Sequence, residues 1–468
     1  MAGKYGYLAK NTLIFTISSF GSKLLAFLLI PLYTSVLSTE EYGTADMITT
    51  ASNLLVFAAT LCIADAVLRF AMDGADRRKG VFGFGLRVVL AGCGIAGLIL
   101  AALALINPFH WENYIYLFLF LTLFSNAMNQ LAAGYLQAID RIPAVAVMGI
   151  LVTLVTIVSN LLLLLVFRAG VIGYLLSFVI GYTLSAVYGF LVIAKHDKGS
   201  FAEICDPGTR RRMIAYSLPL ILNGAAWWLN NSLDRFFIIG FCGVAVNGLY
   251  AAASKIPTIL AAGTQIFSQA WNLSAIREFN REDRGGFFSN IYGSYNFVLT
   301  AGCSALILLN IPLARILFAK DFFVAWEYAS LLVITAVFSA LSGFFGSIFS
   351  AVKNSRVFAV STLMAAILNA VLNWILIPRY GALGGAAATA VSFFAVWMIR
   401  YIYASRYIRM KVRLARDLAA YALLVIQVVF EHTEGHGYLW QGVIFLVILA
   451  LYSGEMIGFY RRIRQARG

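Results

Sequence analysis

Residues 142–167 read I-P-A-V-A-V-M-G-I-L-V-T-L-V-T-I-V-S-N-L-L-L-L-L-V-F, without a single Asp, Glu, Lys or Arg. A helix needs about 20 mainly apolar residues to cross the hydrocarbon core of a bilayer. This stretch exceeds that, and it lacks the period-two alternation of a barrel strand. In lipid only helices or closed barrels satisfy their own backbone, so the stretch reads as a membrane-spanning helix. Ala169 to Ala194 and Val357 to Pro378 repeat the pattern. Working outward from these gives fourteen spans, at about 10–36, 44–70, 82–106, 114–138, 144–167, 171–194, 214–240, 244–270, 287–311, 326–350, 357–377, 381–404, 417–431 and 438–459. The whole composition agrees: 61% hydrophobic, 12% charged, with a mean hydropathy of +0.84. A soluble domain of this size does not have that composition. The first apolar segment, Asn11 to Val36, is too long for a signal-peptide core and no small-residue cleavage site follows it, so it is expected to be a retained span.

The basic residues fall on alternate loops. Arg77-Arg78-Lys79, Arg210-Arg211-Arg212, the run from Arg406 to Arg416 and the tail Arg461 to Arg467 all lie on one side, whereas the other side holds only Arg168, Arg315, Lys320 and Arg379. Positive charge accumulates on cytoplasmic loops, so both termini are expected inside. Span 13 has only Leu418 to Phe430 as a continuous apolar run, but without it the basic tail would lie outside. The net charge of +14 then reflects topology and anionic headgroups, and nucleic-acid binding is not needed to explain it. The five cysteines show no paired spacing, so neither a disulfide framework nor a metal site is expected, and no cofactor is implied.

The longest polar connection, Lys195 to Arg212, is a linker with a turn at Asp206-Pro207-Gly208. It divides the chain into six spans (1–198), a cytoplasmic linker (199–213), a second six-helix bundle (214–404) and a C-terminal helix pair (405–468). Spans 7 and 8 laid over spans 1 and 2 with an offset of 205 align Gly248 with Gly43 and Asn223 with Ser18, so both hairpins enter their second helix through an x-Gly-x step. Two like halves point to a transporter with a site built from both, although a duplicated structural bundle would share the pattern.

Charges inside spans are costly and ask for a partner or a water-filled cavity. Asp65 and Arg69 lie four apart on span 2 and can pair on one helical face, as a structural pair or a functional one. Arg87 is a turn inside span 3 and can snorkel to the headgroups. Lys23 sits mid-span with no acid in its own helix. Lys255 lies about eleven residues into span 8, where Pro257 loosens the backbone hydrogen bonding. Asp234 and Arg235 are adjacent, hence about 100° apart on the helix, so one of them is expected to reach another helix, with Lys255 a partner for Asp234. Lys23, Arg235 and Lys255 either line a cavity or form interhelical pairs. Cations at mid-membrane favour an anionic passenger, phosphate in particular. Asn53, Asn126, Asn129, Gln130, Asn223, Asn230 and Asn231 add groups suited to sugar hydroxyls, although amides in membrane bundles also simply bridge helices. Trp227-Trp228 can stack on sugars or serve in packing.

Certain segments carry a family resemblance: Ile30-Pro31-Leu32-Tyr33, Glu40-Glu41-Tyr42-Gly43, Leu233-Asp234-Arg235-Phe236-Phe237, Gly248-Leu249-Tyr250-Ala-Ala-Ala-Ser-Lys255-Ile256 and Tyr380-Gly381-Ala382-Leu383-Gly384-Gly385. Over essentially its full length the chain resembles bacterial polysaccharide flippases, the O-antigen and capsule translocases of the multidrug/oligosaccharidyl-lipid/polysaccharide exporter superfamily. The resemblance implies an all-α polytopic membrane protein: two pseudo-symmetric six-helix bundles plus two C-terminal helices. It also implies a non-enzymatic transporter moving an undecaprenyl-pyrophosphate oligosaccharide to the outer leaflet, with cavity cations at Lys23, Arg235 and Lys255. Membrane lipids, and H⁺ or Na⁺ acting at Asp65 or Asp234, are the remaining expected partners, and the chain is expected to be a monomer. Lipid II flippases of the same superfamily and cation-coupled multidrug exporters of the same fold remain alternatives. A membrane glycosyltransferase would need carboxylates at the surface and a larger soluble loop; His110, Glu112, Glu431, His432, Glu434 and His436 read instead as scattered, solvated loop residues. A purely structural or assembly role is the last alternative.

Overall fold

The computed structural model describes residues 27–72, 80–201, 203–277, 279–283, 286–352, 354–433 and 437–455. Its elements are helical throughout: α1 (Ile30–Val36), α2 (Thr39–Thr60), α3 (Ile63–Ala71), α4 (Val81–Ile106), α5 (Asn113–Ala138), α6 (Ile142–Asn160, continued by a π-helical turn over Leu161–Val166), α7 (Gly170–His196), α8 (Pro207–Cys242), α9 (Val244–Ala253), α10 (Pro257–Arg277), α11 (Phe287–Leu308), α12 (Asn310–Leu317), α13 (Trp326–Ala351), α14 (Ser355–Ala404), α15 (Leu414–Glu431) and α16 (Tyr438–Leu451). Spans 2 to 13 fall on these helices, span 14 does so as far as Leu451, and the end of span 14 and most of span 1 lie outside the described residues. Among the described residues seven helices are individually long and apolar enough to cross a bilayer, nine when each of two bent pairs counts as one span.

Contacts divide the chain into two compact units, Met1–Ser232 and Leu233–Gly468. The sequence places its division earlier, in the linker over 199–213. The difference arises because the first part of α8 packs in unit 1: the Trp228 indole donates to the Thr50 carbonyl at 3.0 Å, and Tyr216 meets Phe70 edge-on at 6.0 Å. The linker itself is held down, since the Tyr135 hydroxyl donates to Asp197 at 2.6 Å and Arg210 Nε to the Cys205 carbonyl at 2.8 Å.

Local chemistry explains the element ends. Ser38 and Glu41 form a reciprocal capping box that starts α2: the Glu41 N–H donates to the Ser38 hydroxyl at 3.1 Å and the Ser38 N–H to the Glu41 carboxylate at 2.8 Å. Tyr33 and Tyr42 join Tyr174 in an aromatic cluster with ring centroids 4.8 to 6.4 Å apart, and Asn160 donates to the Tyr33 hydroxyl at 3.1 Å. These motif residues therefore fasten α1, α2, α6 and α7 together. Gly381 has φ 59° and ψ −145°, a conformation for glycine alone, and it kinks α14 where span 11 gives way to span 12.

The offset of 205 carries the first residue of α2, Thr39, onto that of α9, Val244. Gly43 and Gly248 lie four residues inside those helices, so they are not the entry step itself. In unit 2 the C-terminal pair docks on α11 through buried polar contacts. The Tyr421 hydroxyl donates to Asn296 at 2.9 Å, and Ser304 donates to Gln427 at 2.7 Å. Glu431 corrects an expectation. It is fully buried at the end of α15 and accepts from Asn310 at 2.7 Å, so it is not a solvated loop residue; a chain segment 121 residues away in sequence covers it.

Candidate functional site

Span 8 is built as two helices, α9 and the first turns of α10, bent by 51°. Pro257 lacks an N–H, so the helix cannot run through it, and the chain bridges the gap with tighter turns. Lys255 N–H bonds to the Ala252 carbonyl at 3.0 Å, Ile256 N–H to Ala253 at 3.2 Å and Thr258 N–H to Lys255 at 3.1 Å. Hydroxyls take up released carbonyls, Ser254 to Ala251 at 2.7 Å and Thr258 to Lys255 at 2.5 Å. Lys255 therefore sits, half-buried, at the break of a discontinuous span.

In the same unit, Asp234 of α8 is 5% exposed. Its carboxylate accepts the Tyr250 hydroxyl of α9 in a very short hydrogen bond and the Arg235 backbone N–H at 3.0 Å. The Thr389 hydroxyl of α14 stands at 3.5 Å. Behind Thr389 the donors continue: Asn369 Nδ2 gives to Thr389 at 3.2 Å, and Asn373 Nδ2 gives to Asn369 Oδ1 at 2.8 Å. All five side chains are buried, and every donor in the line points toward the carboxylate, the one member that can only accept when ionised. The line ends at the Asn373 Oδ1, a buried acceptor without a hydrogen-bond partner. Asp234 reaches α9 through Tyr250 and α14 through Thr389.

In unit 1 the carboxamides divide into two groups. Asn129 Nδ2 donates to the Ser185 hydroxyl at 2.7 Å, which passes its own proton to the Met148 carbonyl at 3.0 Å, a closed bridge between α5, α7 and α6. Asn126 instead donates to Asn53 Oδ1 at 3.1 Å and accepts from Gln130 at 3.1 Å. Span 2 is also discontinuous. Leu61 and Cys62 adopt left-handed φ values of 51° and 52°, and α2 and α3 are bent by 57°. Asp65 and Arg69 lie four apart on α3 beyond that break, both exposed. Arg87 turns back along α4, donating to the Gly83 carbonyl at 3.0 Å.

Lys23 and the side chain of Asn230 lie outside the described residues. Of the remaining expected site residues, Asp234, Arg235 and Lys255 are in unit 2, and Asn53, Asp65 and Arg69 are in unit 1. Sequence reasoning passed over Tyr250, Thr389, Asn369 and Asn373. A signal existed for the last two, because they are amides four residues apart in the charge-free span 11.

The fold and these sites define a class: a polytopic membrane protein of two helical units, with discontinuous spans and a buried carboxylate in one of them, the architecture of flippases and exporters. The chain belongs to the polysaccharide biosynthesis protein family, whose pattern matches residues 8–271. It is 24% identical to an uncharacterized membrane protein of Methanocaldococcus jannaschii over 417 residues, 84% of this chain and 96% of that one. Its fold is similar to that of the lipid II flippase MurJ in an inward closed conformation, with a TM-score of 0.67 at 14% identity over 96% of this chain and 99% of that one. It is similar also to an inward-facing multidrug resistance MATE family transporter, with a TM-score of 0.60 at 12% identity over 85% of this chain and 98% of that one.

Proposed function

We propose that the chain is a flippase that moves an undecaprenyl-pyrophosphate-linked oligosaccharide from the cytoplasmic to the outer leaflet of a bacterial plasma membrane by alternating access, with both termini cytoplasmic. The observation that carries this reading is Lys255, a cation held half-buried at the break of span 8 in a chain of the polysaccharide biosynthesis family. A discontinuous span at mid-membrane is where transporters place their substrate and coupling ions. Lys23, Arg235 and Lys255 bind the pyrophosphate, the polar carboxamides meet the sugars, and the polyprenyl tail stays in lipid. Arg69 and Asp65, beyond the break in span 2, and Asn230 of α8 complete the substrate-binding set.

Each negative charge carried outward from an inside-negative compartment gains about 2.3 kcal/mol per 100 mV, so the potential alone can drive a pyrophosphate. An exchanged H⁺ or Na⁺ would act at Asp234, the buried acid on which the donor line converges. That same carboxylate is the feature a cation-coupled exporter would use, which keeps the multidrug-exporter reading in the test.

The experiment is translocation of a labelled undecaprenyl-pyrophosphate oligosaccharide in proteoliposomes by the wild type and by Lys23→Ala, Arg235→Ala and Lys255→Ala at matched folding and expression. Transport by wild type with loss in the variants supports the reading. Unchanged transport in all three removes the cations from the mechanism.

A further inference from the structure

The line Gln130–Asn126–Asn53 in unit 1 is closed in the middle and open at both ends. Asn126 is buried near the centre of α5, whereas Asn53 and Gln130 are exposed. At that depth a carboxamide open to hydrocarbon would be costly, so each end faces water or a ligand. The contrast is Asn129, which is only partly exposed and whose bridge through Ser185 terminates on a backbone carbonyl.

The line has a polarity. Asn53 has engaged its carbonyl with Asn126 and presents its N–H groups; Gln130 has engaged one N–H and presents its carbonyl beside the other N–H. A phosphate could use the open N–H groups and would leave the Gln130 carbonyl unmet, whereas a cation could not use the N–H groups. A hydroxyl both donates and accepts, so a group carrying several hydroxyls can use both. The Asn53 end is also fixed in place. One turn to either side of it on α2, the Thr50 carbonyl accepts the Trp228 indole N–H at 3.0 Å, and Phe57 fills the space left by Gly224, where a Cβ would lie 2.9 Å from its ring.

We infer that Asn53 and Gln130 are selectivity residues that bind the hydroxyls of neutral sugars in the passenger's glycan head, separately from recognition of its pyrophosphate; this rests on the flippase reading above. The test measures binding and translocation of two probes, undecaprenyl pyrophosphate alone and the same carrier bearing a short neutral oligosaccharide. Asn53→Asp keeps the acceptor that holds Asn126 and removes the open donor, so it probes recognition without breaking the line. Gln130→Met removes the open acceptor.

Both variants should weaken the glycosylated probe about tenfold relative to the bare carrier, the size of one hydrogen bond to a ligand hydroxyl. Parallel losses for both probes would make the line a helix bridge, and unchanged values for both would place it outside the passenger's path; either overturns the inference. If the wild type neither binds nor moves either probe, the flippase reading itself fails, and this inference falls with it.

Discussion

Gly92→Ala should be among the most damaging single-methyl changes in unit 1. A Cβ at Gly92 of α4 would lie 1.7 Å from the Ala59 carbonyl oxygen and 2.8 Å from its carbon, at the last turn of α2 before the break. Both are backbone atoms that cannot rotate away. Carbon–oxygen contacts between packed helices settle at about 3.3 Å, so the two helices would have to separate by roughly 1.6 Å at this level. Overpacking costs typically about 1–3 kcal/mol, and a backbone obstacle places this change near 3 kcal/mol. For a unit of this size that corresponds to a fall in Tm of about 6–12 °C. Gly94→Ala, two residues along the same helix, is the internal control: nothing lies within 4 Å of its Cβ, so it should gain up to about 1 kcal/mol of helix propensity. Thermal unfolding of detergent-purified protein, followed by the monodisperse fraction on size exclusion, checks both. If Gly92→Ala melts with the wild type, or if Gly94→Ala loses as much, the packing of α4 on the end of α2 is not as described.

Leu61→Gly and Cys62→Gly each relieve a left-handed residue that costs about 1 kcal/mol, so each should raise Tm slightly, whereas Leu61→Val should lower it. Glu431→Leu removes one buried acceptor of the Asn310 amide, which keeps the Trp326 carbonyl at 2.9 Å, and should cost about 1 kcal/mol; Glu431→Gln should recover most of that loss in the same melt. Burial pushes the Cys205 thiol up, only partly offset by the guanidinium of Arg210, so the neutral thiol persists to higher pH than in an ordinary cysteine. Its maleimide labelling should therefore be slow at neutral pH and should still be rising above the usual thiol range, and Arg210→Ala should slow it further.

The spans were legible because each is a long apolar run that no alternative element accommodates in lipid. The break in span 8 was legible because Pro257 announces it. The break in span 2 was not, since Leu61 and Cys62 carry no chemical mark of a left-handed turn. The Glu40-Glu41-Tyr42-Gly43 motif marked the family but concealed its own role, which is a cap and part of an aromatic cluster completed by Tyr174. Asp234 was visible as a buried acid, but Thr389 comes from 155 residues away, and no local pattern joins them. The division of the units likewise depends on tertiary contacts, because α8 is one continuous helix whose two ends pack with different neighbours.

Translocation by the wild-type chain in proteoliposomes, with a lipid-linked glycan and an organic cation offered side by side under an imposed inside-negative potential, is the most direct measurement. Outward movement of the glycan lipid, faster as the potential increases, with no cation exchange, is the outcome expected of a flippase. Exchange of the organic cation for H⁺ or Na⁺ with no movement of the glycan lipid would contradict it and make the chain an exporter.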